Sequence, residues 1–285
     1  MNILVTGKSG QLGVEIEKIH TNYSKHNFIF KDKIELDITN FNNLNEFFKN
    51  NDIKLIINCA AYTDVNGAEI EKKIANKVNN LGVENLSLIC KNFNCKIIHI
   101  STDYVFDGLK NQPYKETDLT NPINYYGFSK LEGEKKILKS NINALIIRTS
   151  WLYSSNKNNF FSNIIKKAES MDKINVVNDQ IGSPTSAHEL AKICIYLSTA
   201  NFKWGGGPKI YNFSNEGMCS WYEFAKAIIL LKKIPCNIIP IKSNKIKNNI
   251  IRPKYSVLDK SKIKQDFNIS PNNWYDSLKL EIIRK

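Results

Sequence analysis

The chain has 285 residues, 42% hydrophobic and 24% charged, with a formal net charge of +13, enough to bury one large core or two modest ones. The positive excess comes from scattered lysines rather than an arginine-rich block or basic tail, which argues against a nucleic-acid partner. Six cysteines, at 59, 90, 95, 194, 219 and 236, form no C-x-x-C and no ligand-like cluster with His20, His26, His99 or His188, so no disulfide and no metal is expected.

No apolar run nears ~18 residues, and the N-terminus enters a strand without a basic and apolar leader, so the expectation is a cytoplasmic protein with no membrane contact. Asn2 to Thr6 (NILVT) reads as that strand, followed by GKSGQLG and an amphipathic segment from Val14 to His20. Gly7, Gly10 and Gly13 stand in a G-x-x-G-x-x-G pattern. Such glycines permit a tight turn and let the backbone approach a pyrophosphate, which then rests on the free N–H groups of a helix N-terminus. A strand, three glycines and a helix in so short a stretch point to a dinucleotide site.

A second strand, Phe28 to Phe30, ends in Lys31, Asp32 and Lys33. An acidic residue there suits a ribose diol and a basic one a 2′-phosphate, so NADH and NADPH both stay open. Leu36-Asp37-Ile38 and a helix near Leu44 to Lys49 lead to the strand Leu55-Ile56-Ile57, which runs into NCAAYTDV. Ala60 and Ala61 at that strand end allow close approach of a flat ligand. One long helix is expected from about Ala68 through Cys90, before the strand Lys96 to Ile100 (KIIHI). The repeated strand and helix pattern is that of an α/β fold with a Rossmann-type, doubly wound parallel sheet.

Ser101 to Lys130 carries the chemistry. Thr102 lies at a strand's C-terminal end, the edge facing the ligand crevice of an open parallel sheet. Tyr126 and Lys130 stand four apart in YGFSKLEGEKKIL, which puts phenol and ammonium on one helical face. An adjacent ammonium is expected to lower the phenol pKa from ~10 toward the working range, making Tyr126 a general acid.

Beyond Lys130, a strand from Ala144 to Ile147 ends in RTSWLY, and a helix follows near Phe160 to Glu169. Ile174 to Val177 enters NDQIGSPTSAHELA, a strand, a turn and a helix with Ser186 as N-cap. Lys203 to Lys209, with Gly205, Gly206 and Gly207, is a loop and candidate hinge; IYNFSN is a strand, and Ser220 caps a helix to Lys233. These assignments give a dinucleotide-binding domain over 1–153, joined by strands from about 174–215. A smaller, mainly substrate-binding region covers 154–285.

GKSGQLG, NCAAYTDV, STDYVFDG, PINYYGFSKLEGE, RTSWLY, NDQIGSPT and IIRPKYSVLD occur in an order and spacing that resembles the extended short-chain dehydrogenase/reductases. Within them the chain is similar, along essentially its whole length, to the dTDP-4-dehydrorhamnose reductase family. STDYVFDG, RTSW and NDQIGSPT are the most specific parts. The resemblance implies that Thr102, Tyr126 and Lys130 are catalytic, and that Gln11, Leu12, Asp37, Ile38, Ala61, Tyr62 and Thr63 line the cofactor. Asp103, Tyr104 and Trp151 would border the sugar and nicotinamide, and Arg252 the nucleotide end. Asn66 and Gly67 depart from the family's usual VDKAE. Glu15 matches one glutamate of an interfacial Mg²⁺ site found in some members, without a full set, and a homodimer is compatible with the resemblance.

The expected reaction is NAD(P)H-dependent reduction of a 4-keto group on a nucleotide-activated deoxysugar, with Lys130 holding the cofactor ribose and Thr102 donating to the same oxygen as Tyr126. Related 4,6-dehydratases need an acid/base pair after the threonine, whereas Asp103 is followed here by Tyr104. Two alternatives stay open: another nucleotide-sugar 4-ketoreductase, and a non-catalytic dinucleotide-binding regulatory subunit.

Overall fold

The computed structural model describes residues 1–23, 25–200, 204–245 and 250–284. The chain opens with β1 (Asn2–Thr6), α1 (Gln11–Ile19), β2 (Asn27–Lys31), α2 (Phe41–Asn50) and β3 (Ile53–Asn58). The single helix expected from Ala68 to Cys90 is instead broken into α3 (Val65–Ile70), α4 (Lys72–Asn76), a π-helical turn (Lys77–Leu81) and α5 (Gly82–Phe93). Two local causes account for this. Glu71 leaves the helical region at φ −101°, ψ 45°, and the wider turn carries buried Asn79 out to bond a neighbouring loop. Such turns recur at functional sites.

After β4 (Lys96–Thr102) come α6 (Tyr125–Ser140), β5 (Ala144–Thr149), β6 (Leu152–Tyr153), α7 (Phe160–Ala168), β7 (Lys173–Val177), β8 (Ile181–Gly182) and β9 (Thr185–Ser186). The chain ends with α8 (Ala187–Thr199), β10 (Lys209–Asn212), β11 (Cys219–Ser220), α9 (Trp221–Lys232), β12 (Asn237–Ile241), α10 (Ser261–Phe267) and α11 (Trp274–Ile283). Ser220 caps α9 in a capping box with Glu223, whereas Ser186 precedes α8 without a side-chain cap bond. Of the expected hinge, Lys203 lies outside the described residues; Gly206 and Gly207 have positive φ.

The central sheet is six-stranded and parallel, in the order β10-β5-β4-β3-β1-β2. Strand order reverses between β1 and β3, and the C-terminal edge there is the binding crevice of doubly wound sheets. Alternation along each strand builds two cores. Ile3, Val5, Leu55 and Ile57 face α1 and α8, while Leu4, Ile56, Ile97 and Ile146 face α2 and α5.

Of the later strands expected to join this sheet, 209–212 does. Residues 173–177 do not: β7 pairs with β12 in a separate two-stranded ribbon. That ribbon packs with α7, α9 and α11 around a third core of Phe161, Ile174, Val176, Phe224, Ile228 and Leu278. The C-terminal region thus has its own apolar centre, and the crevice lies between it and the sheet edge.

Candidate active site

The phosphate turn is shaped by what its glycines exclude. Gly7 has φ +68°, and a Cβ there would lie 2.7 Å from the Ala60 nitrogen, so the ends of β1 and β3 touch through backbone. At Gly13 a Cβ would strike the Gly7 carbonyl and Lys8. Gly10 differs, since a Cβ would meet only the Gly7 oxygen at 3.3 Å and otherwise point into open space. It is the N-cap of α1 and supplies no side-chain cap bond, so the first N–H groups of the helix remain available to an anion. A dinucleotide pyrophosphate fits this cradle.

The other expected cofactor residues follow the sheet edge. Leu12 is buried, and the Gln11 amide reaches across the crevice, donating to the Leu152 carbonyl (3.4 Å) and accepting from Asn159 (2.8 Å). Asp32, after β2, accepts from the backbone N–H of Ile34 and Glu35, while Lys8 pairs with Glu35 at 2.8 Å. One Asp32 oxygen is therefore engaged in its own turn. Asp37 likewise caps Thr39, and Ile38 is buried against Gly82. Ala60 and Ala61 lie just beyond β3 and are half-buried; Thr63 is exposed. Asn79 clamps the loop they begin, accepting from the Tyr62 N–H at 2.8 Å and donating to the Tyr62 carbonyl and Ser129.

Tyr126 is brought to the sheet edge by close packing of α6. A Cβ at Gly127 would collide with the Tyr104 carbonyl, so only glycine lets the helix approach this far. Asn124 caps α6 by accepting from the Gly127 N–H. Thr102 accepts from the Tyr104 N–H at 3.2 Å and donates to Asp103 at 3.0 Å. The Tyr104 and Tyr126 rings meet edge to face, 5.6 Å between centroids. Thr102, Asp103, Tyr104, Tyr126 and Lys130 thus converge where β4 meets α6.

The electrostatics correct one expectation. Tyr126 is pushed up to about 12 by burial, with its hydrogen bond to Thr102 opposing the rise, and Lys130 contributes no resolved lowering. The Lys130 amine instead donates to the Ile100 carbonyl at 2.6 Å and lies 3.4 Å from His99 Nε2. Burial brings Lys130 down to about 8. Asp103 is pushed up to about 7 by burial, against hydrogen bonds from Ser256 and Thr102.

Trp151 has left-handed backbone, φ +48°, a strained conformation for an aromatic residue that must be held from outside. It stacks on Trp221 with centroids 3.5 Å apart, and a Cβ at Gly182 would lie 2.5 Å from its ring. Arg252 lines a cavity of about 260 Å³ with Asn163, Lys167, Gln180 and Trp221. It donates to Asn66 at 3.3 Å. The Asn66-Gly67 departure is thereby accommodated, since a Cβ at Gly67 would strike the Tyr62 hydroxyl and the Asp64 carboxylate.

Sequence reasoning missed Asn58, Asn79, His99, Gly127, Gly182 and Trp221. It also missed the buried Arg148–Glu134 pair (2.7 Å), in which Glu134 accepts from Ser101 as well. The signal for Glu134 was legible: it lies one turn beyond Lys130 on the same face of α6. Among the described residues, no group of three or more His, Cys, Asp or Glu is arranged to hold a metal, and no helix is long and apolar enough to cross a membrane.

A family model described as RmlD substrate binding domain matches residues 1–284. The dTDP-4-dehydrorhamnose reductase of Aggregatibacter actinomycetemcomitans is 38% identical, with 97% of each chain covered. That of Escherichia coli strain K12 is 32% identical, covering 98% of this chain and 96% of the relative. Among solved structures, a dTDP-4-dehydrorhamnose reductase from Clostridium acetobutylicum superposes with a TM-score of 0.93 at 37% identity and 99% coverage of both chains. One from Bacillus anthracis in complex with NADP gives 0.92 at 34% identity, covering 100% of this chain and 99% of that one. Matched from end to end in sequence and fold, the chain belongs to the RmlD substrate-binding-domain family, that of the dTDP-4-dehydrorhamnose reductases.

Proposed function

We propose that the protein reduces the 4-keto group of a nucleotide-activated deoxysugar with NADPH or NADH, converting dTDP-4-dehydro-L-rhamnose to dTDP-L-rhamnose. The bound nicotinamide supplies a hydride to C4. The chain's own residues bind, orient and protonate. The α1 N-terminus and the Gly7–Gly13 turn hold the pyrophosphate, and Lys130 donates to the ribose. Tyr126 gives its proton to the developing alkoxide, and Thr102 donates to the same oxygen.

The observation that carries this reading is the convergence of Thr102, Tyr126 and Lys130 where β4 meets α6, on the same sheet edge as the phosphate turn. A phenol held at about 12 is protonated at neutral pH, as a proton donor to a reduced carbonyl must be. Arg252 exerts its charge on Tyr104, whose ring meets Tyr126, and on this reading Trp151 and the cavity beside Arg252 take the sugar and its nucleotide. On this reading residues 1–153 with β10 bind the cofactor and the rest of 154–285 the substrate, in a cytoplasmic homodimer.

The bound NADP of the Bacillus anthracis structure supports the cofactor class. Lys31 and Asp32 at the end of β2 leave room for both nucleotides. The test is oxidation of NADPH and of NADH followed with a panel of nucleotide 4-keto sugars; no turnover with any would leave a regulatory subunit. A second reading has a specific observation behind it. A dTDP-4-keto-6-deoxy-D-glucose reductase from Streptomyces niveus is 32% identical over 90% of this chain, and the same panel separates the two sugars.

A further inference from the structure

His99 is fully buried on β4, beneath the catalytic lysine, and its hydrogen bonds fix its tautomer. The Ala60 backbone N–H donates to Asn58 Oδ1 at 3.2 Å, and the Thr6 hydroxyl donates to the same oxygen at 2.7 Å. A backbone N–H can only donate, so the amide orientation of Asn58 is settled. Its Nδ2 then points at His99 Nδ1, 2.9 Å away, and must be the donor. His99 Nδ1 is therefore bare. Burial holds the imidazole well below its usual range and hence neutral, so the one ring proton sits on Nε2, aimed at Lys130 Nζ 3.4 Å away.

An ammonium in that position would set N–H against N–H in a buried site. A neutral amine has a lone pair to accept from Nε2–H while donating to the Ile100 carbonyl at 2.6 Å. We propose that His99 is a positioning residue that favours Lys130 as the neutral amine in the unliganded enzyme at mildly alkaline pH, so that nicotinamide nucleotide binding there is accompanied by uptake of up to one proton from solvent at Lys130. The inference rests on the proposed cofactor role of Lys130. The ribose hydroxyls and the anionic pyrophosphate favour the ammonium, which turns from His99 toward the ligand.

The other groups facing Lys130 act in the same frame. Glu134, from its own helix, favours the ammonium but is committed to Arg148 and Ser101. Cys59, just after β3, and Tyr126 from α6 are both pushed up to about 12 by burial and stay protonated through pH 9. Asp103, beyond β4, titrates at about 7, below the window of interest. Lys130, brought down to about 8 chiefly by burial, is the group that changes between pH 8 and 9.

The test is calorimetric titration of the full chain with NADPH in buffers of different ionisation enthalpy. Uptake of about half a proton per site is expected at pH 8, rising toward one at pH 9, the behaviour of a group at about 8. Asn58→Asp keeps both acceptor bonds at Oδ1 but turns Oδ2 into an acceptor, which moves the ring proton to Nδ1 and lets bare Nε2 accept from an ammonium. Uptake at pH 8 should then fall to a small fraction of the wild-type value. Long-range ¹H–¹⁵N spectra of the wild type should show the Nε2–H tautomer of His99, a readout that holds even if the variant fails to fold. An Nδ1–H tautomer in the wild type, or binding without proton uptake, overturns the proposal. Absence of NADPH binding would instead overturn the functional reading beneath it.

Discussion

Tyr126 is half-buried at the sheet edge, and the desolvation it suffers there keeps its phenol protonated while Lys130 turns toward Ile100 and His99. Tyr126→Phe removes the proton donor and little else, because the ring still packs edge-on against Tyr104. Turnover should fall by about 10²-fold or more with cofactor affinity unchanged; near-normal kcat would remove Tyr126 from the acid role. Asp103 gives a second expectation at this scale. Its carboxyl is raised to about 7 in the folded chain, so the cost of ionising it is absent below about pH 4, grows as pH rises through neutrality, and is complete above the folded value. Asp103→Asn removes that ionisation. Its stability should match wild type near pH 4 and exceed it increasingly up to pH 8, by at most about 4 kcal/mol. A pH-independent difference in denaturation midpoint would show that Asp103 is not the titrating group. The i, i+4 spacing made the Tyr126–Lys130 face legible in the sequence. The direction of the pKa shift was not, because desolvation depends on residues distant in the chain.

Strand ends and helix starts set the positions at the next scale up. The β1–α1 unit was legible because a buried strand, three glycines and a helix follow one another locally, and each glycine leaves a distinct mark in the turn. Gly10 has φ −78°, so a side chain there meets no backbone strain and projects into the space where a pyrophosphate would lie. Gly10→Val should leave the unliganded fold intact and weaken NADPH and NADH binding together by a hundredfold or more, about 3 kcal/mol. Calorimetry and thermal melting read the two effects apart, and unchanged affinity would reduce GKSGQLG to a structural turn. The broken helix between Val65 and Phe93 was not legible. Its π turn is stabilised by Asn79 bonding Tyr62, seventeen residues back, and Ser129, fifty ahead, and apolar periodicity carries no trace of such bonds.

Across the whole molecule, two bodies with separate cores meet at the crevice, and their division was only partly visible in the sequence. The strand Lys173–Val177 has the alternation of any half-buried strand, and nothing local says that its partner is β12, over sixty residues on, rather than the main sheet. What joins the bodies is equally non-local. Gln11 bonds Asn159 and Leu152 at the cofactor end, and at the substrate end Trp151, just beyond β5, stacks on Trp221 of α9 with 7° between the ring planes. That stack holds Trp151 in a left-handed backbone it would not keep alone. Trp221→Ala should therefore act at a distance, freeing Trp151 and opening the cavity beside Arg252. Loss of a large aromatic contact is expected to lower stability by about 3 kcal/mol, and KM for the nucleotide sugar should rise tenfold or more while the affinity for NADPH is retained. Equal weakening of both ligands would mean that the stack supports the crevice as a whole rather than its substrate half.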